Sequence, residues 1–388
     1  MRIAIPTTTF FSAETVNGIT NTVMLISRWL VKKGHDVTVF APLEKRPDAL
    51  RRPSDRPKLD GMLPEKEVID GINVVRIKTK FEYKYTSELT GLIKDNMPDI
   101  VHSFHYGYYP ATAGFNAAHD MKIPHIFTTS YHNVRMSFLS SLFMRWYDSA
   151  QGKKLLSKSF YVFPQNMNEA HGLKNVSKFN CKIVPCPVNS NVFKPKSTQN
   201  TSTHFKTNKK RKLVAYIGTM LPWKGAGIAF DICKQIEKER DDVDFVFIGP
   251  GALKPELMKN ASDKFTFDEW VPLNKLAEWY NKADVMLYPT QYESFGRVLA
   301  EAMMCGTPIV STKVGAVPET VGNGGLLVDY GDWNKMKSNV LDILGNKNLH
   351  KKLSAAAIKH ASNYKDFVVA KNVLEAYEEA IEDRTVKL

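Results

Sequence analysis

The residues with the clearest chemical potential run from Tyr292 to Gly306, in the order Tyr-Glu-Ser-Phe-Gly-Arg-Val-Leu-Ala-Glu-Ala-Met-Met-Cys-Gly. A strand is expected to end near Pro289 and a helix to begin near Ser294 or Gly296. Glycine at that junction lets a ligand reach the N–H groups at the positive end of the helix, where phosphate is favoured. Glu293 stands before the helix and Glu301 lies eight residues on, about 12 Å along the axis at ~1.5 Å per residue. Carboxylates so spaced could hold hydroxyls at the two ends of a diphosphate, a sugar on one side and a ribose on the other. The competing expectation is structural: Glu293 caps the helix and Glu301 rides on its solvated face.

A second segment, Tyr216-Ile217-Gly218-Thr219-Met220-Leu221-Pro222-Trp223-Lys224-Gly225, reads as strand, turn and helix start with Lys224 at the mouth. A lysine there can neutralise a diphosphate, as binding energy or by stabilising a leaving group. The ordinary alternative is a loop lysine reaching water. Val16-Asn17-Gly18-Ile19 opens the first helix in the manner of a backbone anion nest. It lacks the G-x-G-x-x-G pattern of dinucleotide sites. His102 and His105 end one strand and His132 follows another, where open parallel sheets face their ligands. A lone histidine in such a place is more often packed or solvated than reactive.

The elements that must position these groups alternate short apolar runs with helical stretches, the pattern of parallel βαβ units. Strands are expected at 2–5, 36–40, 74–77, 100–103 and 125–129, with helices at 19–33, 88–96 and 111–121. A proline-rich, charged stretch at 42–64 reads as a long exposed loop. The second half restarts with strands at 214–217, 244–248, 265–267, 285–288, 309–311 and 326–328, and helices at 225–240, 255–260, 275–280, 297–305 and 333–344. The expected fold class is α/β: two Rossmann-like, doubly wound parallel-sheet domains facing across a cleft. The domains are 1–190, joined by a C-terminal helix at 366–388, and 213–365, with a polar, basic linker at 191–212.

With 388 residues, 43% hydrophobic and 24% charged, the chain has the make-up of a globular protein rather than a disordered tail, a collagen or a disulfide miniprotein. Lys+Arg is 53 against Asp+Glu 40, a net charge of +13 that favours anionic partners: nucleic acid, anionic lipid or phosphorylated small molecules. Nucleic acid is not expected, because RNP-like aromatics, zinc-finger spacing and a helix-turn-helix pattern are all missing. Four cysteines, Cys181, Cys186, Cys233 and Cys305, are too scattered for a disulfide framework or a zinc site and suit a reducing compartment. Asp242-Val243-Asp244 has the letters of a metal-binding D-x-D but leads from a helix end into a strand, so a structural turn is expected and no metal. The first strand begins at once after Met1, and no apolar run approaches the ~20 residues of a membrane span. The expectation is a cytoplasmic protein without a leader.

Taken together, these residues resemble the retaining glycosyltransferases of family 4, with the GT-B fold. Glu293-Ser-Phe-Gly…Glu301-Ala-Met…Gly306-Thr-Pro-Ile-Val-Ser, continuing through Gly315-Ala-Val-Pro-Glu319 and Gly325-Leu-Leu-Val328, resembles that family's E-x7-E donor signature. Gly218…Lys224-Gly225 is similar to its phosphate loop, and Gly249-Pro-Gly251 and Trp270-Val271-Pro272 to its strand-end glycines and base-contacting turn. His132 resembles, more loosely, its strand-end active-site histidine. The resemblance implies a hexosyltransferase with a nucleotide-sugar donor, UDP- or GDP-linked as in UDP-glucose or GDP-mannose. That donor is a substrate, so no cofactor is implied. His132, Lys224 and Glu293 would be the catalytic residues. Glu293 would hold sugar hydroxyls and Glu301 the ribose. Ser294, Phe295, Gly296, Arg297 and Val298, with Gly18, Gly218, Thr219, Lys224, Gly249 and Val271, would surround the rest of the donor. Three positions depart from the pattern: Thr219 stands where arginine is usual, Arg297 where an apolar residue is usual, and Gly18 is alone where two glycines are usual. Arg297 is a candidate to replace the missing cation. Without a second carboxylate pair for a covalent intermediate, front-face attack assisted by the departing diphosphate is expected.

The acceptor side is less determined. The stretch Val134–Tyr147 sets Leu139, Leu142, Phe143 and Trp146 on one helical face, with Phe138 near it. Arg135, Arg145, Lys153, Lys154 and Lys158 surround it against Asp148 alone. Such a helix suits an anionic membrane surface, or a groove for a lipid or glycan acceptor; the alternative is an ordinary core stripe. The interfacial expectation puts the protein on the inner face of the cell membrane, with a part in glycolipid biosynthesis. A soluble sugar or sugar-phosphate acceptor is the alternative.

Overall fold

A computed structural model of the chain describes residues 1–10, 18–43, 63–78, 88–130, 145–196, 211–269 and 271–387. The chain divides into two compact units, Met1–Pro187 with Asp366–Leu388, and Val188–Lys365. Of the stretch expected as a linker, 191–196 and 211–212 fold with the second unit, and the remainder lies outside the described residues.

The first unit is built on β1 (Arg2–Pro6), β2 (Asp36–Pro42), β3 (Lys66–Ile69), β4 (Ile72–Ile77), β5 (Ile100–Phe104), β6 (His125–Thr128) and β7 (Tyr161–Phe163). Its helices are α1 (Gly18–Lys32), α2 (Glu88–Asp95), α3 (Tyr109–Asp120), α4 (Lys153–Lys158) and α5 (Met167–Lys174). The sheet order is β3-β4-β2-β1-β5-β6-β7, parallel except for β3. β1 is buried from Ile3 to Pro6 and β2 from Val37 to Pro42, as strands covered on both faces must be. Gly34, at φ 84°, ends the turn after α1 and feeds β2. The β3–β4 hairpin was not foreseen. Its loop is Asp70-Gly71, both at positive φ (51° and 79°), the two-residue turn whose twist matches the strands it joins.

The C-terminal helix, α13 (Asp366–Lys387), completes this unit. Val369, Ala370, Val373, Ala376, Tyr377 and Ala380 are buried in the same core as Ile3, Ile5, Val23 and Leu30. The Tyr377 hydroxyl lies 2.5 Å from Nδ1 of His102, whose Nε2 lies 2.7 Å from Thr128 Oγ1. His102 is therefore a core residue and not a crevice histidine. Burial holds it well below the ordinary histidine value, and holds the equally buried His125 at about 3. On the outer face of α13, Glu379 pairs with Lys182 at 2.6 Å and accepts the Tyr161 hydroxyl at 2.7 Å.

The second unit carries β8 (Lys212–Ile217), β9 (Val243–Ile248), β10 (Phe265–Asp268), β11 (Val285–Tyr288), β12 (Ile309–Thr312) and β13 (Gly325–Val328). Between and after them come α6 (Ala226–Glu239), α7 (Lys254–Lys259), α8 (Leu273–Lys282), α9 (Arg297–Met304), α10 (Val317–Val321), α11 (Trp333–Gly345) and α12 (Lys347–Ala361). All pairings are parallel, in the order β10-β9-β8-β11-β12-β13. Helix α12 was missed because Lys-Asn-Leu-His-Lys-Lys reads as loop; the Asn346 side chain caps it, accepting from the N–H groups of Asn348 and Leu349 at 3.0 Å. Asp242 ends the turn before β9, paired with Arg240 at 2.7 Å, and Asp244 lies within β9, paired with Arg211 at 2.6 Å.

Candidate active site

In the second sheet the strand order reverses between β8 and β11, and ligands of open parallel sheets bind beyond the carboxyl ends of the strands at such a point. The loop leaving β8 holds Gly218, Thr219 and Lys224; the loop leaving β11 holds Glu293. The Tyr216 hydroxyl donates to the carbonyls of Thr219 at 2.8 Å and Lys224 at 3.2 Å, pinning both ends of the first loop. Pro222–Lys224 forms one tight helical turn, closed by Gly225 at φ 77°. A Cβ on Gly225 would stand 2.0 Å from the Pro289 carbonyl, so only glycine lets the two loops approach. Gly249 has a similar part, since a Cβ there would meet the Gly218 carbonyl at 2.1 Å.

These loops bring Lys224 Nζ to 2.5 Å from Glu293 Oε1. The Tyr288 hydroxyl donates to the same oxygen at 2.9 Å. Both bonds fall on Oε1, so Oε2 has no protein partner among the described residues. Glu293 is 7% exposed, and its carbonyl accepts the Ala316 N–H at 2.9 Å, which fixes the backbone as well as the side chain. Glu293 is therefore neither a helix cap nor a solvated residue.

Gly296, at φ 84° and ψ 56°, turns the chain sharply into α9. This break places Glu293 outside the helix, so the axial spacing of about 12 Å expected between Glu293 and Glu301 does not apply. The first internal acceptor of α9 is the Gly296 carbonyl, taken by Leu299 N–H at 2.9 Å, and the N–H groups before it face out of the helix end. Phe295, 4% exposed, packs edge-on against Tyr364, while its carbonyl accepts from Thr320 Oγ1 at 2.5 Å. Its ring holds the turn in place. Ser294, Arg297 and Val298 are half-buried around the helix start.

Glu301 is inside the protein, 7% exposed, and accepts the Tyr280 hydroxyl on Oε2 at 3.2 Å. Burial pushes its carboxyl up to about 7, against the opposing pull of the Arg297 charge and the Tyr280 hydroxyl. Arg297 precedes Glu301 by one helical turn, so this departure from the usual pattern acts directly on the second carboxylate. Val271 follows β10, half-buried, just before α8. The tyrosines that organise the site, Tyr216, Tyr280 and Tyr288, were missed; the signal was a tyrosine at the carboxyl end of two central strands, where aliphatic residues would serve packing alone.

In the first unit, Gly18 is the first residue of α1 and its carbonyl accepts from Thr22 Oγ1 at 2.9 Å. Among the described residues nothing lies within 4 Å of where its Cβ would stand. His105 stands at this sheet's own reversal, between β1 and β5, with Nδ1 at 2.9 Å from Thr8 Oγ1 and its ring stacked on Tyr108. His132, Arg135, Phe138, Leu139, Leu142 and Phe143 lie outside the described residues. Arg145 and Trp146 are exposed, as are Lys153, Lys154 and Lys158, and Asp148 accepts the Tyr106 hydroxyl at 2.7 Å.

The two open-sheet units are those of the GT-B fold. A sucrose-phosphate synthase from Thermosynechococcus elongatus superposes with a TM-score of 0.75 at 18% identity, over 98% of this chain and 99% of that one. Anabaena Alr3699/HepE, solved in complex with UDP and glucose, gives 0.71 at 14% identity, over 97% and 99%. Family models match both halves of the sequence, Glycosyltransferase Family 4 over residues 16–190 and Glycosyl transferases group 1 over 211–346. The chain belongs to the family 4, group 1 glycosyltransferases. A D-inositol 3-phosphate glycosyltransferase of Thermobispora bispora is 26% identical over 216 residues, 52% of this chain and 50% of that protein. The matched stretch thus spans about half the length of such curated relatives.

Proposed function

We propose that this protein is a retaining glycosyltransferase that moves a hexose from a UDP- or GDP-linked donor to an acceptor hydroxyl, without a metal. The observation that carries this reading is the Lys224–Glu293 pair at the sheet reversal, with Glu293 Oε2 unpartnered among the described residues. On entry of the donor, Lys224 meets the diphosphate and the outward N–H groups of α9 share its charge. Glu293 Oε2 and Glu301 Oε1, neither with a hydrogen-bond partner among the described residues, then accept hydroxyls from sugar and ribose. Arg297 supplies the second cation in place of an arginine at Thr219. In the transfer step the acceptor oxygen bonds to the anomeric carbon as the bond from that carbon to the diphosphate oxygen breaks. The acceptor proton passes to the departing diphosphate, whose growing charge Lys224 stabilises. Removing Lys224 is expected to lower kcat by about 10²–10³-fold, the usual cost of losing one such donor. An unchanged kcat in Lys224→Ala would overturn the assignment.

For the acceptor, the reading is a membrane lipid or lipid-linked glycan, met at the inner face of the cell membrane. It is favoured by the surplus charge of +13 and by Trp146, 60% exposed, in a segment whose Arg145, Lys153 and Lys158 are also exposed. No helix among the described residues is long and apolar enough to cross a membrane, so attachment would be at the surface. A second reading, a soluble sugar-phosphate acceptor, is favoured by the name of the Thermobispora bispora relative. Flotation with anionic and neutral liposomes separates the two: binding that needs anionic lipid supports the first, and binding to neither supports the second.

A further inference from the structure

Beside the Lys224–Glu293 pair, the second unit carries a group of aromatic side chains for which the donor reading has no use. Trp223 is 49% exposed and Tyr330 is 45% exposed. The Trp333 ring stands edge-on to Tyr330, with centroids 5.0 Å apart. Gln291 ties the group together. Its backbone N–H donates to the Trp223 carbonyl at 2.8 Å, and its side-chain amide donates to the Tyr330 hydroxyl at 2.6 Å. Thr290 Oγ1 also donates to the Trp223 carbonyl, at 3.3 Å, and Thr312 Oγ1 to the Thr290 carbonyl, at 2.6 Å.

The three loops concerned follow β8, β11 and β13, all at the carboxyl edge of the sheet. Exposed aromatic residues scattered singly are ordinary. Here the exposed Gln291 side chain holds the Tyr330 hydroxyl while its backbone N–H holds the Trp223 carbonyl, so three loops present the two exposed rings from one hydrogen-bonded framework. Their chemistry selects the ligand. Flat ring faces suit the C–H face of a pyranose, and the amide and hydroxyl at their rim suit its hydroxyls. None of Trp223, Gln291, Tyr330 and Trp333 carries a charge, and the nearby Lys313 and Asp329 lie 3.5 Å apart as a pair. A neutral sugar fits such a surface better than a phosphate or an anionic bilayer does. In the chain, Trp223 adjoins Lys224 and Gln291 stands two residues before Glu293.

We propose that Trp223, Gln291 and Tyr330 form a platform that docks a pyranose ring of a neutral glycan acceptor. The proposal rests on the glycosyltransferase reading above, so its test measures the two separately. Saturation-transfer NMR is recorded with maltotriose, mannotriose and chitotriose, and calorimetry with UDP and GDP, on the intact protein. At least one trisaccharide is expected to bind. Trp223→Ala and Tyr330→Ala each weaken that binding at least tenfold, while Tyr330→Phe, which keeps the ring, weakens it less than threefold. The variants keep the nucleotide Kd within twofold of wild type, which also shows that they are folded. The proposal is overturned if no trisaccharide binds a protein that binds nucleotide, or if the alanine variants bind sugar like wild type. It is equally overturned if nucleotide affinity falls in parallel, since the aromatic group would then serve the donor base. Sugar binding without any nucleotide binding would support the platform and overturn the donor reading instead.

Discussion

Glu301 makes the account testable by pH alone. Its carboxyl is buried and pushed up to about 7, from an ordinary 4.5. That corresponds to roughly 3 kcal/mol of preference for the neutral form. The folded carboxyl holds its proton more tightly than the unfolded one, so Glu301 costs stability as pH rises from 4.5 through about 7. A ribose whose hydroxyls donate to the carboxylate prefers the ionised form and offsets part of that cost. With ionisation at about 7, the charged fraction grows from roughly 3% at pH 5.5 to roughly 76% at pH 7.5, a gain in donor affinity of about 25-fold. The assay is calorimetric titration of UDP and GDP at those two pH values, on wild type and on Glu301→Gln. Nucleotide phosphate also titrates, near pH 6, so the quantity to follow is the ratio of the two proteins' affinities, in which that contribution cancels. A ratio that moves at least tenfold toward wild type with rising pH is expected. A ratio independent of pH would refute the role given to Glu301.

Other perturbations reach different parts of the molecule. Tyr216→Phe removes the hydroxyl that pins the phosphate loop and is expected to raise the donor KM severalfold, with a loss of about 1–2 kcal/mol in stability measured by urea unfolding. Gly225→Ala forces a Cβ against the Pro289 carbonyl at positive φ; a loss of at least about 2 kcal/mol is expected, and thermal unfolding like wild type would contradict the loop geometry. Buried His102 and His125 take up protons more readily unfolded than folded, so as pH falls below 6.5 each removes up to about 1.4 kcal/mol of stability per pH unit, for His125 down to about pH 3. His125→Asn should flatten the acid limb of the stability curve of the first unit; an unchanged limb would contradict this.

Much of this was legible in the residues because local signals and tertiary needs agreed. Apolar runs such as Val-Asp-Phe-Val-Phe-Ile must be strands covered on both faces, and glycine ends helix α1 where the chain turns into β2. Glu293 and Lys224 were visible as a pair of loop residues after two strands, but not their mutual contact, since the strand order that makes β8 and β11 neighbours is a long-range property. Glu301 was the harder case. One charged residue on a helix reads as solvated, and only the packing of α9 beside Tyr280 removes it from water. The β3–β4 hairpin had its signal, Asp70-Gly71, but in a charged region where the alternation is weak. Helix α12 hid behind its lysines, because its buried face is only Leu353, Ala357 and Ala361.

The most direct test of the central claim is the anomeric configuration of the sugar released during turnover. Proton NMR would follow hydrolysis of UDP-glucose and GDP-mannose in the presence of EDTA, before mutarotation. The account predicts that one of the two α-linked donors is cleaved and that its hexose appears first as the α anomer, with the rate falling about 10²–10³-fold in Lys224→Ala. Release of the β anomer, or cleavage that requires a divalent metal, would contradict it.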